Sequence, residues 1–139
     1  MKNTSAIEAA CGRVLQICRL LLGADALDAN ILGRETVPVC RGIYLWRCMQ
    51  DKSPVYVGTA LGKRGLNGRI VGQHLRPSYL QSVFRKAVER FERKDVRESA
   101  NFIREHFTIA MMECPVDEPR IILAAEAVLI AVLRPKYNK

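Results

Sequence analysis

Apolar and polar positions alternate with a period of two in short runs near the middle of the chain, and recur at helical spacing over most of the rest. The first run is Gly42-Ile43-Tyr44-Leu45-Trp46 and the second is Val55-Tyr56-Val57-Gly58, both rich in β-branched and aromatic residues. Gln50-Asp51-Lys52-Ser53-Pro54 between them is turn chemistry, so the spacing predicts an antiparallel hairpin. In the first run Ile43, Leu45 and Arg47 fall on one face, with Gly42, Tyr44, Trp46 and Cys48 on the other. In the second, Val55 and Val57 share a face and Tyr56 lies opposite with Gly58. One apolar face can then cover a core while both tyrosines point the same way. The run 107–113 is a third strand candidate.

The helical segments follow from caps and spacing. Ser5-Ala6-Ile7-Glu8 is a capping-box pattern, which predicts a helix over 5–23 ended by Gly23. Its apolar stripe (Ile7, Ala10, Cys11, Val14, Cys18, Leu21, Leu22) is widened by Leu15, Ile17 and Leu20, enough to pack on the core or on another subunit. The weakly patterned segment 24–38 is expected to contain another short helix before the first strand. Gly62-Lys63-Arg64-Gly65 leads into an expected helix over 66–74, and backbone donors with cations at a helix start suit phosphate. Ser78 with Gln81 predicts the cap of a longer helix, along which Leu80, Val83, Phe84, Ala87, Val88 and Phe91 recur at helical spacing and leave Arg85, Lys86 and Arg93 outward. Ser99 is the expected cap of a further short helix. Asp117-Glu118-Pro119 starts the last one, which ends before Pro135.

Composition narrows the class. At 139 residues and 49% hydrophobic, the chain has the size and apolar content of one domain with a single core. The formal charge of +8 is uneven: residues 61–104 hold eleven cations against four acids, seven of the eight excess charges. Such a concentrated field points to a polyanionic partner, nucleic acid ahead of membrane, or else to a solvated face that keeps the protein soluble. Cys11, Cys18, Cys40, Cys48 and Cys114 are odd in number and form no Cys-x-x-Cys pair, which argues against a disulfide framework or zinc cage. No signal sequence is legible, and the apolar run 121–133 is short and interrupted by Glu126. A cytoplasmic protein is expected.

Glu126 is the only charge in that run. An ionised carboxylate on a largely buried helix is costly unless it reaches a solvated edge, pairs with an arginine such as Arg69, or binds a metal.

Gly42-Ile43-Tyr44, then Val55-Tyr56-Val57-Gly58, then Arg69 within Leu66-Asn67-Gly68-Arg69-Ile70, together resemble the GIY-YIG nuclease superfamily. Glu126 and the closing Leu133-Arg134-Pro135-Lys136-Tyr137-Asn138 follow in the order of its pattern. The resemblance implies an α/β (α+β) fold, a small three-stranded antiparallel sheet flanked by helices, over 41–139. Residues 1–40 would be an N-terminal helical extension packing on that core. It implies a metal-dependent endonuclease hydrolysing DNA through one Mg²⁺ (or Mn²⁺) held by Glu126, with Arg69 on the scissile phosphate. Tyr44 would act as general base or orient the attacking water, and Tyr56 would position water or phosphate. Many members carry histidine four residues after the arginine. Here that position is Gln73, and His74 corresponds to the second of the two adjacent histidines of some members, as a proton shuttle or a surface residue beside phosphate. Asn138 matches the asparagine that braces the site. Lys63, Arg64, Arg76, Arg85 and Lys86 are the candidate nucleic-acid contacts, with DNA ahead of RNA and a homodimer or partner protein through the N-terminal helix. The alternatives are a nucleic-acid-binding module without cleavage, or a nuclease subunit that needs a partner for specificity.

Overall fold

The computed structural model describes residues 2–114 and 118–138. In chain order it holds α1 (Lys2–Leu22), β1 (Leu27–Asp28), a 3₁₀ turn (Ala29–Ile31), β2 (Gly42–Cys48), β3 (Pro54–Ala60) and α2 (Gly65–Arg69). A π-helical turn (Ile70–His74), α3 (Val83–Glu92), α4 (Val96–His106), β4 (Phe107–Glu113) and α5 (Pro119–Leu133) follow. The class is mixed α and β. The sheet has four antiparallel strands in the order β1-β4-β2-β3, not three. The added strand pairs only Leu27 with Ile109 and Asp28 with Thr108, too short a ladder to leave a period of two in the sequence.

The hairpin forms as expected except for one residue. Its register runs from Gly42↔Ala60 to Trp46↔Tyr56 and then steps to Arg47↔Pro54, which leaves Val55 in a bulge. Val55 therefore joins Tyr44 and Trp46 in one core, and Val57 joins Ile43 and Leu45 in the other. The expected common face of Val55 and Val57 is corrected by that extra residue.

Each face of the sheet is covered. On one, Trp46, Ile109 and Val55 pack against Phe84, Val88 and Ile103 from α3 and α4. On the other, Ile43, Leu45, Val57 and Ala110 pack against Ile17, Cys18 and Leu21 of α1 and Ile122, Ala125 and Leu129 of α5. Each fully buried aliphatic side chain contributes roughly 1.5–3 kcal/mol. Only the last turns of α1 are buried, and Ile7, Leu15 and Leu20 of its wide stripe face solvent. Among the described residues no helix is long and apolar enough to cross a membrane.

Three caps differ from expectation. α1 begins at Lys2, so Ser5 lies inside it. α3 is capped by Ser82 rather than Ser78, the Ser82 hydroxyl accepting the Arg85 N–H. α4 starts in a capping box of Asp95 and Glu98, which leaves Ser99 buried within the helix. Of the expected start of the last helix, Asp117 lies outside the described residues, and Pro119 occupies the first turn.

Candidate active site

Tyr44 stands on β2, between two hydrogen-bonded neighbours, and is almost wholly buried. Directly across the ladder is Gly58, where a Cβ would collide with the Tyr44 hydroxyl. The glycine of the second run thus makes the space in which the first run's tyrosine lies. Tyr56, on the edge strand β3, is half-buried, with its ring centroid 6.4 Å from that of Tyr44.

The segment that follows brings Arg69 and His74 to the same place. Gly65 holds φ at +54°, and a Cβ there would strike the Cys40 carbonyl, which accepts the Leu66 N–H at 2.8 Å. α2 thereby starts against the strand and ends on Arg69. Beyond it the winding widens, with the Leu75 N–H donating to the Ile70 carbonyl five residues back at 3.0 Å. A π turn takes one residue more than an α turn. His74, five residues after Arg69, therefore comes round to where α-helical winding would put the fourth.

His74 is buried and hydrogen-bonded at both ring nitrogens, which removes the surface alternative. Nε2 lies 2.6 Å from the Tyr44 hydroxyl and Nδ1 2.6 Å from Ser82 Oγ. Phe84 forms the floor, stacked on Tyr56 at 4.7 Å and meeting the edge of His74 at 5.4 Å.

The electrostatics tie these groups to Glu126. Burial pushes the Tyr44 hydroxyl well above its usual range, with Tyr56 and Glu126 adding to the rise and Arg69 opposing it. Tyr56 is raised by burial and by Glu126, again against Arg69. Burial, then Arg69 and Arg85, bring His74 down to about 3. Tyr44 is thus a neutral phenol and His74 a neutral imidazole at neutral pH. The Glu126 carboxyl is raised by burial, and hydrogen bonds from the Thr59 hydroxyl and backbone together with Arg69 pull it back. Arg69 acts on all four neighbours.

Asn138 completes the arrangement from the far end of the chain. Its Oδ1 accepts the Val57 N–H at 2.7 Å and its Nδ2 donates to the Val57 carbonyl at 2.9 Å, pairing with the outer edge of β3 beside Tyr56.

The donor set suits a hard cation. Glu126 is a half-buried carboxylate that burial raises more than Thr59 and Arg69 together pull back, and the Thr59 hydroxyl offers a second oxygen beside it. Among the described residues no group of three or more His, Cys, Asp or Glu gathers into a metal cage. An ion on Glu126 would keep most of its water, as Mg²⁺ does.

Beside this cluster runs an open groove of about 710 Å³, whose lining includes Arg34, Lys63, Arg64, Arg69 and Arg76 and no carboxylate. Arg69 is the one catalytic candidate on its wall. Lys63 and Arg64 of the basic turn line this groove together with Arg76 from the loop after the π turn, and Lys86 is exposed on α3, bonded to Gln81 at 3.1 Å. Arg85 is a correction. It is fully buried, and its guanidinium donates to the carbonyls of Gln73 at 2.8 Å and Arg76 at 2.9 Å, and to that of Tyr79. A helical wheel shows the outward side of α3 but not the loop folded over it.

Ser82, Thr59 and Arg34 are not among the sequence's site candidates, and Phe84 is expected there only as a core residue of its helix. Ser82 has Arg85 where a capping box needs Glu or Gln, so the pattern at Ser78 with Gln81 outranks it in the sequence, while its bonds to the Arg85 N–H and to His74 exist only in the fold. Arg34 sits in the least patterned segment, fixed by Asn67 Nδ2, which donates to the Arg34 and Val37 carbonyls at 2.9 and 2.7 Å. Comparison with family models, with curated proteins and with solved structures finds no match for this chain.

Proposed function

We propose that the chain is a metal-dependent endonuclease that hydrolyses phosphodiester bonds of DNA. The observation that carries this reading is the buried chain Tyr44–His74–Ser82 set within the fields of Arg69 and Glu126. Hydrolysis needs an activated water, charge neutralisation on the phosphoryl oxygens and help for the leaving oxygen. Arg69, half-buried and at the groove wall, forks onto the scissile phosphate. The attacking water gives its proton to the Tyr44 oxygen while the Tyr44 proton moves to His74 Nε2. His74 Nδ1–H meanwhile donates to Ser82 Oγ, which fixes the tautomer.

A His74 pKa near 3 opposes this transfer in the free protein. A bound phosphate cancels much of the Arg69 charge, one of the causes of that depression, and so makes His74 a better base at the moment it is needed. Tyr56 positions the phosphate through its hydroxyl. Glu126, braced by Thr59, would hold one Mg²⁺ (or Mn²⁺), which supplies positive charge for the leaving 3′ oxygen when bound.

The near-complete burial of Tyr44 and His74 favours a second reading, a DNA-binding module without turnover, because a general base must meet water. Incubation with duplex, branched and single-stranded DNA, with Mg²⁺ or Mn²⁺ and with chelator, decides between them. Metal-dependent product supports the nuclease, and binding without product supports the module.

A further inference from the structure

We infer that the groove beside Arg69 is a subsite for an unpaired nucleic-acid strand, with Arg34 forming one wall and the 76–79 loop the other. The inference rests on the nuclease reading and extends it to the form of the substrate.

Charge, volume and rigidity support it. Arg34, Lys63, Arg64, Arg69 and Arg76 share one groove without a carboxylate, so they repel one another until anions arrive. A lone phosphate leaves most of that charge uncancelled, whereas a strand supplies one anion per nucleotide. A volume of about 710 Å³ has room for a short length of single strand within the groove itself. Tyr79 also lines the groove, and an aromatic residue there can stack an unpaired base, a contact closed to a paired one. Gly62 and Gly72 leave the wall open, with nothing near a hypothetical Cβ at either.

Both walls are held from within the fold. The buried guanidinium of Arg85 gathers the carbonyls of Gln73, Arg76 and Tyr79, which fixes the backbone of the loop carrying Arg76 and Tyr79. Asn67, itself buried, grips the backbone of Arg34 and Val37. Arg34 thus brings the segment before the hairpin into the substrate path.

The test is fluorescence anisotropy of a labelled single-stranded oligonucleotide and of the same sequence as blunt duplex, with the full chain in chelator across a salt series. Thermal melting confirms that each variant is folded. Arg34→Ala is expected to flatten the single-strand log–log salt slope by about 0.7, with Arg34→Lys restoring it. Tyr79→Leu is expected to weaken single-strand binding roughly tenfold and to leave duplex affinity within about twofold. Arg97→Ala, an exposed cation on α4 away from the groove, serves as the control and should change neither.

Wild-type-like single-strand binding by both groove variants overturns the subsite while leaving the nuclease reading intact. Equal loss on duplex and single strand overturns the assignment to an unpaired strand. A wild-type chain that binds neither substrate removes the subsite together with the nuclease reading.

Discussion

Asn138 does the work of a neighbouring strand for Val57, accepting its N–H at 2.7 Å and donating to its carbonyl at 2.9 Å. The Tyr137 N–H adds a bond to the Val55 carbonyl at 2.8 Å, so the chain's last described residues hold the bulged edge of β3. Tyr56, between those two contacts, takes its position from them.

Asn138→Ala removes both edge bonds and is expected to cost about 1–3 kcal/mol, each net hydrogen bond contributing roughly 0.5–1.5. Chemical denaturation reads the loss. Amide exchange should quicken at Val57 while the Tyr44 amide, on the central strand, stays protected. Unchanged protection at Val57 would make the asparagine idle.

Gly58→Ala places a methyl group where the Tyr44 hydroxyl lies. Overpacking of this kind typically costs about 1–3 kcal/mol. The larger effect is expected on chemistry, because the hydroxyl must leave His74 to make room. Cleavage falls further than the melting temperature suggests, and DNA affinity holds. Full cleavage by this variant would show that the Tyr44–His74 bond is dispensable.

How far the sequence foretold the site depends on how local each feature is. The hairpin, β4 and α5 have strong periodicity, and that spacing alone puts Tyr44 and Tyr56 on the hairpin and Glu126 on the last helix. The bulge at Val55, the π turn before His74 and the two-residue β1 are changes of one residue or two, and no period registers them. Arg85 is the clearest case. Its charge suggested phosphate, yet its partners are three carbonyls brought close by the loop, a tertiary fact with no trace in spacing.

Arg85→Met leaves those carbonyls without their donor, and each buried unsatisfied group costs about 1–3 kcal/mol. A loss of several kcal/mol is expected by urea denaturation, against almost none for the neighbouring exposed Lys86→Met. Equal stability of the two variants would place Arg85 back on the surface.

His74 makes stability depend on pH in a defined direction. The unfolded imidazole titrates near 6.5 and the folded one at about 3, so between these values the unfolded chain binds more protons. The contribution is fully present above the unfolded value and is lost as pH falls through the window, to the extent of a few kcal/mol. Urea midpoints at about pH 7 and about pH 4 should drop more for the wild type than for His74→Gln, which has no proton to gain. Parallel drops would show that His74 titrates normally in the folded chain.

Single-turnover cleavage of DNA by the wild type, Glu126→Gln and Tyr44→Phe, in Mg²⁺ and in chelator, tests the nuclease reading most directly. The wild type should cut only with the metal, Glu126→Gln should bind without cutting, and Tyr44→Phe should cut ~10²-fold more slowly or worse at unchanged affinity. Turnover by Glu126→Gln at the wild-type rate in Mg²⁺ would contradict it.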